Sequence, residues 1–93
     1  MPPLSINRIR NLLRTLRYVV SLHAAEEMED DGFTILDLEN IILTGTIVER
    51  QKDQQTDETK IVIRGVALEA REAEAIVKVG LSGILYIITV YAT

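Results

Sequence analysis

Lys60-Ile61-Val62-Ile63-Arg64-Gly65-Val66-Ala67-Leu68 repeats with a period of two. Lys60, Val62, Arg64 and Val66 fall on one side, and Ile61, Ile63, Gly65 and Ala67 on the other, the pattern of a half-buried β-strand. Towards the C-terminus, residues 69–73 read as a charged turn and residues 74–79 as another strand. Ser82-Gly83 marks a further turn, and residues 84–90 form the most apolar strand. Towards the N-terminus, Thr46-Ile47-Val48-Glu49-Arg50 begins a strand. Residues 51–58 contain nothing that could enter a core and read as a mobile hairpin loop.

Before residue 46 the period changes to that of a helix. Ser5 can cap a first helix whose stripe is Ile6, Ile9, Leu13 and Leu16, with Arg10, Arg14 and Arg17 on another face. Tyr18-Val19-Val20 is a short β-branched run. Ser21 stands at an N-cap position, His23 to Glu29 read as a second helix, and Gly32 is a natural stop. Thr34 opens a third helix with Asp37 three residues on, as in a capping box. Ile35, Leu38, Ile41 and Ile42 form its stripe and Gly45 ends it. Helices followed by strands joined by short connections predict an α+β class, with helices on one face of an antiparallel sheet. Residues 1–17 are expected to form a basic helix packing on a domain of residues 18–93.

The 93 residues amount to one domain's length. No cysteine is present, which rules out disulfides and thiolate metal sites and fits a reducing cytoplasm. Met1-Pro2-Pro3 does not open a secretory signal, and the apolar runs are strand-length, so no membrane span is expected. The net charge of −4 argues against tight nonspecific nucleic-acid binding, yet the charges are segregated. Residues 1–25 hold Arg8, Arg10, Arg14 and Arg17 and no acid, whereas residues 26–39 hold seven acids and no base.

His23 is the only histidine, and so the only side chain that ordinarily titrates near neutrality. It stands in the first turn of a helix just after a strand. It either packs there as a helix-start residue or faces a cleft as a proton-transfer group. Arg64, sharing a strand face with Lys60, either clamps phosphate through its planar fork or is an ordinary exposed strand charge. Lys78 is a weaker candidate of the same kind. Thr89 and Tyr91, two residues apart, share a face and could orient a phosphate, or merely supply edge polarity. The acids of residues 26–31 go round a helix instead of converging, so no metal site is expected, and no cofactor-binding motif is present.

The stretch Val20-Ser21-Leu22-His23-Ala24-Ala25-Glu26-Glu27-Met28-Glu29-Asp30-Asp31-Gly32-Phe33 resembles the signature of a small uncharacterised domain family. That signature is a Ser-x-His-Ala opening, a Met or Leu five residues after the His, then Gly and an apolar residue. Gly45-Thr46-Ile47-Val48-Glu49, Ile63-Arg64-Gly65 and Ile87-Ile88-Thr89-Val90-Tyr91 follow in the same order, so the resemblance covers residues 18–93. It implies a RelE-like fold akin to MqsR and other small mRNA interferases, with N-terminal helices on a curved antiparallel sheet of about four strands. It further implies the toxin of a bacterial type II toxin–antitoxin pair, a YgiT- or MqsA-type zinc-finger antitoxin as partner, and RNA, free or on the ribosome, as substrate. His23, Arg64, Thr89 and Tyr91 match the family's polar signature.

Two positions depart from that pattern: many members carry Arg where this chain has Glu27 and Asp31, which weakens attraction for phosphate. The expected function is therefore metal-independent RNA cleavage, with His23 as acid or base and Arg64, Thr89 and Tyr91 handling the phosphate. Arg10, Arg14, Arg17, Lys60 and Lys78 would make backbone contacts to RNA. The alternatives are a non-catalytic protein- or RNA-binding module of the same fold, and a homodimer pairing through residues 84–90 should that strand lie at an edge.

Overall fold

The computed structural model describes residues 4–93. Met1, Pro2 and Pro3, and with them the start of the expected N-terminal arm, lie outside the described residues. Helix α1 (Ile6–Arg14) begins at Ser5, whose hydroxyl accepts the Arg8 amide. It buries Ile9, Leu12 and Leu13. Leu16 is not on that stripe: it is 76% exposed, because the helix closes before it. Leu16 turns left-handed (φ 60), and the Leu16 and Arg17 amides donate to the Leu13 and Leu12 carbonyls.

Strand β1 (Tyr18–Val20) leads into α2 (Leu22–Asp31), capped by the Ser21 hydroxyl on the Ala24 amide and ended by Gly32 in the left-handed region. Helix α3 (Ile35–Thr44) carries the predicted Thr34–Asp37 capping box in full. Leu38, Ile41 and Ile42 are buried, while Ile35 stays exposed at the first turn.

Strands β2 (Thr46–Lys52), β3 (Thr59–Val66), β4 (Glu72–Val79) and β5 (Leu85–Ala92) complete the fold. The sheet has five strands in the order β1-β5-β4-β3-β2, and β1 runs parallel to β5. This corrects the expected antiparallel sheet of about four strands. A parallel pair needs a long connection, and here most of the domain lies between the two strands. The hairpin is also tighter than predicted: β2 continues through Lys52, and Asp53 accepts the Gln55 and Thr56 amides while Lys52 pairs with Asp57 at 2.9 Å. Strand β3 ends at Val66, with a 3₁₀ turn at Leu68–Ala70 before β4.

The three helices share one core with the inner face of the sheet, where Ile61, Ile63, Ala75, Val77, Ile87 and Val90 are buried. Helix α3 sits against β3 closely enough to require two glycines. A Cβ on Gly65 would overlap the Ile41 carbonyl, and one on Gly45 would lie 2.5 Å from both the Ile41 oxygen and Ile63 Cγ2.

Strand β5 pairs with β1 only over Leu85–Ile87. Beyond that point helix α2 stands in for the missing strand. The Ser21 hydroxyl donates to the Ile88 carbonyl at 3.0 Å. The Glu27 and Asp31 carboxylates accept the Val90 and Ala92 amides at 3.1 and 2.8 Å. The condition for a homodimer through residues 84–90, a free edge at that strand, is therefore not met.

Asp37 ties the helices to the sheet. One carboxylate oxygen takes the Thr34 amide and hydroxyl, and the other takes the Leu68 amide at 2.9 Å. The Thr34 amide foremost, with the Leu68 amide adding to it, holds this carboxyl below the usual aspartate range despite its burial. Asp37→Ala strands the Leu68 amide and opens the cap, and is expected to lower unfolding free energy by about 2 kcal/mol in urea denaturation. An unchanged midpoint would refute the role given to this carboxylate. Glu27→Ala with Asp31→Ala should speed hydrogen exchange at Val90 and Ala92 roughly tenfold, with β4 amides unaffected.

Candidate active site

Among the described residues the buried side chains of all three helices join the core on the inner face of the sheet, and the side chains of the outer face are set by register. Arg64 stands opposite Glu74, and Glu74 opposite Tyr91, in one row across three strands. The β4–β5 register slips by one residue after Ile76, a bulge that sets Thr89 opposite Ile76 and brings Tyr91 back to the Glu74 side.

Glu74 is the centre of this row. It is 8% exposed, and both oxygens are occupied. Arg64 donates to Oε2 through Nε at 2.8 Å and lies 2.6 Å from it through a terminal nitrogen. The Tyr91 hydroxyl donates to Oε1 at 2.5 Å. The tyrosine hydroxyl first, then the guanidinium, holds the Glu74 carboxyl below the ordinary glutamate range. The same bond, with burial, raises the Tyr91 phenol. Tyr91 is therefore a neutral donor near neutrality and no phenolate base. Arg64, 61% exposed at its side chain, turns its remaining N–H groups to solvent.

His23 approaches from α2. Its side chain is 67% exposed, and Nε2 lies 3.3 Å from Glu27 Oε1, the oxygen that also accepts the Val90 amide. The imidazole is thus backed by a carboxylate pinned to the strand that carries Thr89 and Tyr91. Tyr91 is joined to this pair through the backbone of β5, one residue beyond the Val90 amide that Glu27 accepts.

The remaining predicted residues make no hydrogen bond or ion pair with the Glu74 row or the His23–Glu27 pair. Arg10 donates to the Ile42 and Gly45 carbonyls at 3.3 and 2.7 Å, closing the C-terminus of α3, a structural duty that leaves little of its fork for RNA. Arg14 and Arg17 are exposed on or just after α1. Lys60 is half-buried on β3, opposite Gln51, and Lys78 pairs with Glu58 at 3.0 Å. Among the described residues no group of three or more His, Asp or Glu side chains is placed to hold a metal ion. No helix among them is long and apolar enough to cross a membrane.

Glu74 is the residue that sequence reasoning missed. Its signal was its alternation with Ile76 and Lys78, but only the register reveals that it faces Arg64. Arg71 was missed as well: it donates to the Asp31 and Gly32 carbonyls, lies 4.4 Å over the Phe33 ring, and so anchors the end of α2.

Glu74 makes the stability pH-dependent. With its folded-state value depressed, the stabilisation is complete above the ordinary value of 4.5 and is lost as pH falls through the folded-state value. Wild type should exceed Glu74→Gln in thermal stability at pH 7, with the gap closing in acid. Curves that stay parallel down to strongly acid pH would contradict the charged role of Glu74.

One family model, that of a domain of unknown function (DUF4258), matches residues 20–92. No curated protein and no solved structure matches the chain. The matched span runs from the end of β1 to the end of β5 and takes in every member of the His23–Glu27 pair and the Glu74 row. This protein belongs to the DUF4258 domain family.

Proposed function

We propose that the protein is a metal-independent endoribonuclease of the RelE-like kind, acting as the toxin of a bacterial toxin–antitoxin pair. The observation that carries this reading is the exposed His23 imidazole, backed by the α2 residue Glu27, whose carboxylate accepts the Val90 amide of the strand that bears Thr89 and Tyr91. An imidazole whose Nε2 faces a carboxylate keeps its proton there, leaving Nδ1 free to accept one. In that state His23 takes the proton of an RNA 2′-hydroxyl. The oxygen attacks the adjacent phosphorus, the bond to the 5′-oxygen breaks, and a cyclic phosphate forms. The leaving oxygen takes a proton from water or from the imidazolium.

Arg64 offers its solvent-facing N–H groups to the phosphorane, and the Thr89 hydroxyl donates beside it. Tyr91 acts by holding Glu74, which in turn fixes the plane of the Arg64 fork. Arg14, Arg17 and Lys60 supply backbone contacts to RNA. The cytoplasmic setting rests on the absence of cysteine from the sequence, and the zinc-finger antitoxin partner on the resemblance of residues 18–93.

A second reading, a non-catalytic binding module, is favoured by two observations: Arg64 already has a buried counter-charge, and the Glu27 carboxylate lies beside the imidazole. Growth arrest on expression without antitoxin, together with RNA cleavage by the purified protein, separates the two. His23→Ala should lower cleavage by about 10²–10⁴-fold and relieve the arrest, without lowering thermal stability. Cleavage by His23→Ala at the wild-type rate removes the enzyme mechanism. Wild-type protein that shifts RNA mobility and never shortens it favours the binding module.

A further inference from the structure

The two borders of the sheet are treated differently. At β5 the groups beyond β1 are satisfied by α2 side chains, whereas β2 forms the other border and pairs only with β3. Among the described residues, nothing lies along the outer side of β2, which is exposed over nearly its whole length. A groove of about 980 Å³ opens beside it on the inner face, and no residue of α1, α2 or α3 lines it. Its apolar part is Leu4, Ile61, Val79 and Leu81, the last fully exposed, and Arg50 and Lys52 stand on its β2 side. Asp57 and Glu58 at the hairpin end already pair with Lys52 and Lys78. Arg50 is the exposed groove cation with no carboxylate partner among the described residues.

A second copy meets like charges at this edge in the registers centred on residues 49–52. Register places Ile47, Arg50 and Lys52 on the inner face, and Thr46, Glu49 and Gln51 on the outer. A twofold antiparallel pairing keeps each face on its own side. Every register centred on residues 49–52 then sets Arg50 against Arg50 or Lys52, Lys52 against itself, or Glu49 against itself, and like charges directly opposite are destabilising. What matches is an extended segment that brings backbone groups to β2, apolar side chains to the groove and a carboxylate to Arg50.

We propose that β2 and the groove beside it form a docking site for an extended acidic–apolar segment of a partner protein, which adds as a sixth strand. Main-chain hydrogen bonds hold such a segment, and the groove with Arg50 selects it. This inference stands apart from RNA cleavage and survives its failure.

The probe is a capped peptide, Thr-Leu-Thr-Glu-Thr-Leu-Thr, titrated to millimolar concentration into the full-length protein and followed by amide NMR and hydrogen exchange. It should slow exchange in β2 by at least about threefold and leave β5 unchanged, while the same peptide with Lys for Glu has no effect. Arg50→Glu, an exposed change, should invert that preference. Equal responses to both peptides, or protection confined to other strands, overturn the proposal. So does a peptide-free dimer that protects β2, or a single-stranded oligouridylate that shifts these amides when the peptide does not.

Discussion

Helix α2 completes the hydrogen bonding of β5 through its side chains, and the rest of the site depends on that contact. Ser21 caps the helix and reaches the Ile88 carbonyl, and Glu27 and Asp31 follow one turn apart to take the Val90 and Ala92 amides. A backbone amide left without an acceptor costs more than an ordinary hydrogen bond contributes, so this arrangement fixes the helix in rotation as well as position. His23, on the same face as Glu27, is aimed by it. The acids that look like a loss of RNA affinity when read as charges are thus structural acceptors.

Charge is distributed by the same logic. Glu74, Asp37 and Glu27 each accept from a neighbouring element, and Arg10 and Arg71 close the C-terminal ends of α3 and α2. Arg10 of the basic arm and Glu27, Asp31 and Asp37 of the acidic block are therefore used to join elements. Arg14 and Arg17 remain outside that network, on the helix side of the molecule, while the Glu74 row lies on the outer face of the sheet.

The periodicities made the helices, their caps and the strand faces legible. Ser5, Ser21, Thr34, Asp37, Gly32 and Gly45 all stand where local chemistry put them. Leu16 and Ile35 were misplaced because a helical stripe says nothing about where the last and first turns end. The parallel β1–β5 pair was illegible because three residues of strand carry no signal of their partner. In the site, alternation placed Arg64 and Tyr91 on their faces, but Glu74 between them needed the register of three strands. Glu27 was visible as an acid, and only the unpaired stretch of β5 explains it.

The β1–β5 pairing joins residues 18–20 to residues 85–87, across most of the described chain. Contacts so distant in sequence close late, since the intervening loop entropy opposes them until the rest is in place. A growing chain that has not yet reached residue 85 holds α2 without the strand it leans on, and it lacks both Thr89 and Tyr91. Nascent chains of this protein are therefore inert at the proposed site until synthesis of the domain is essentially finished.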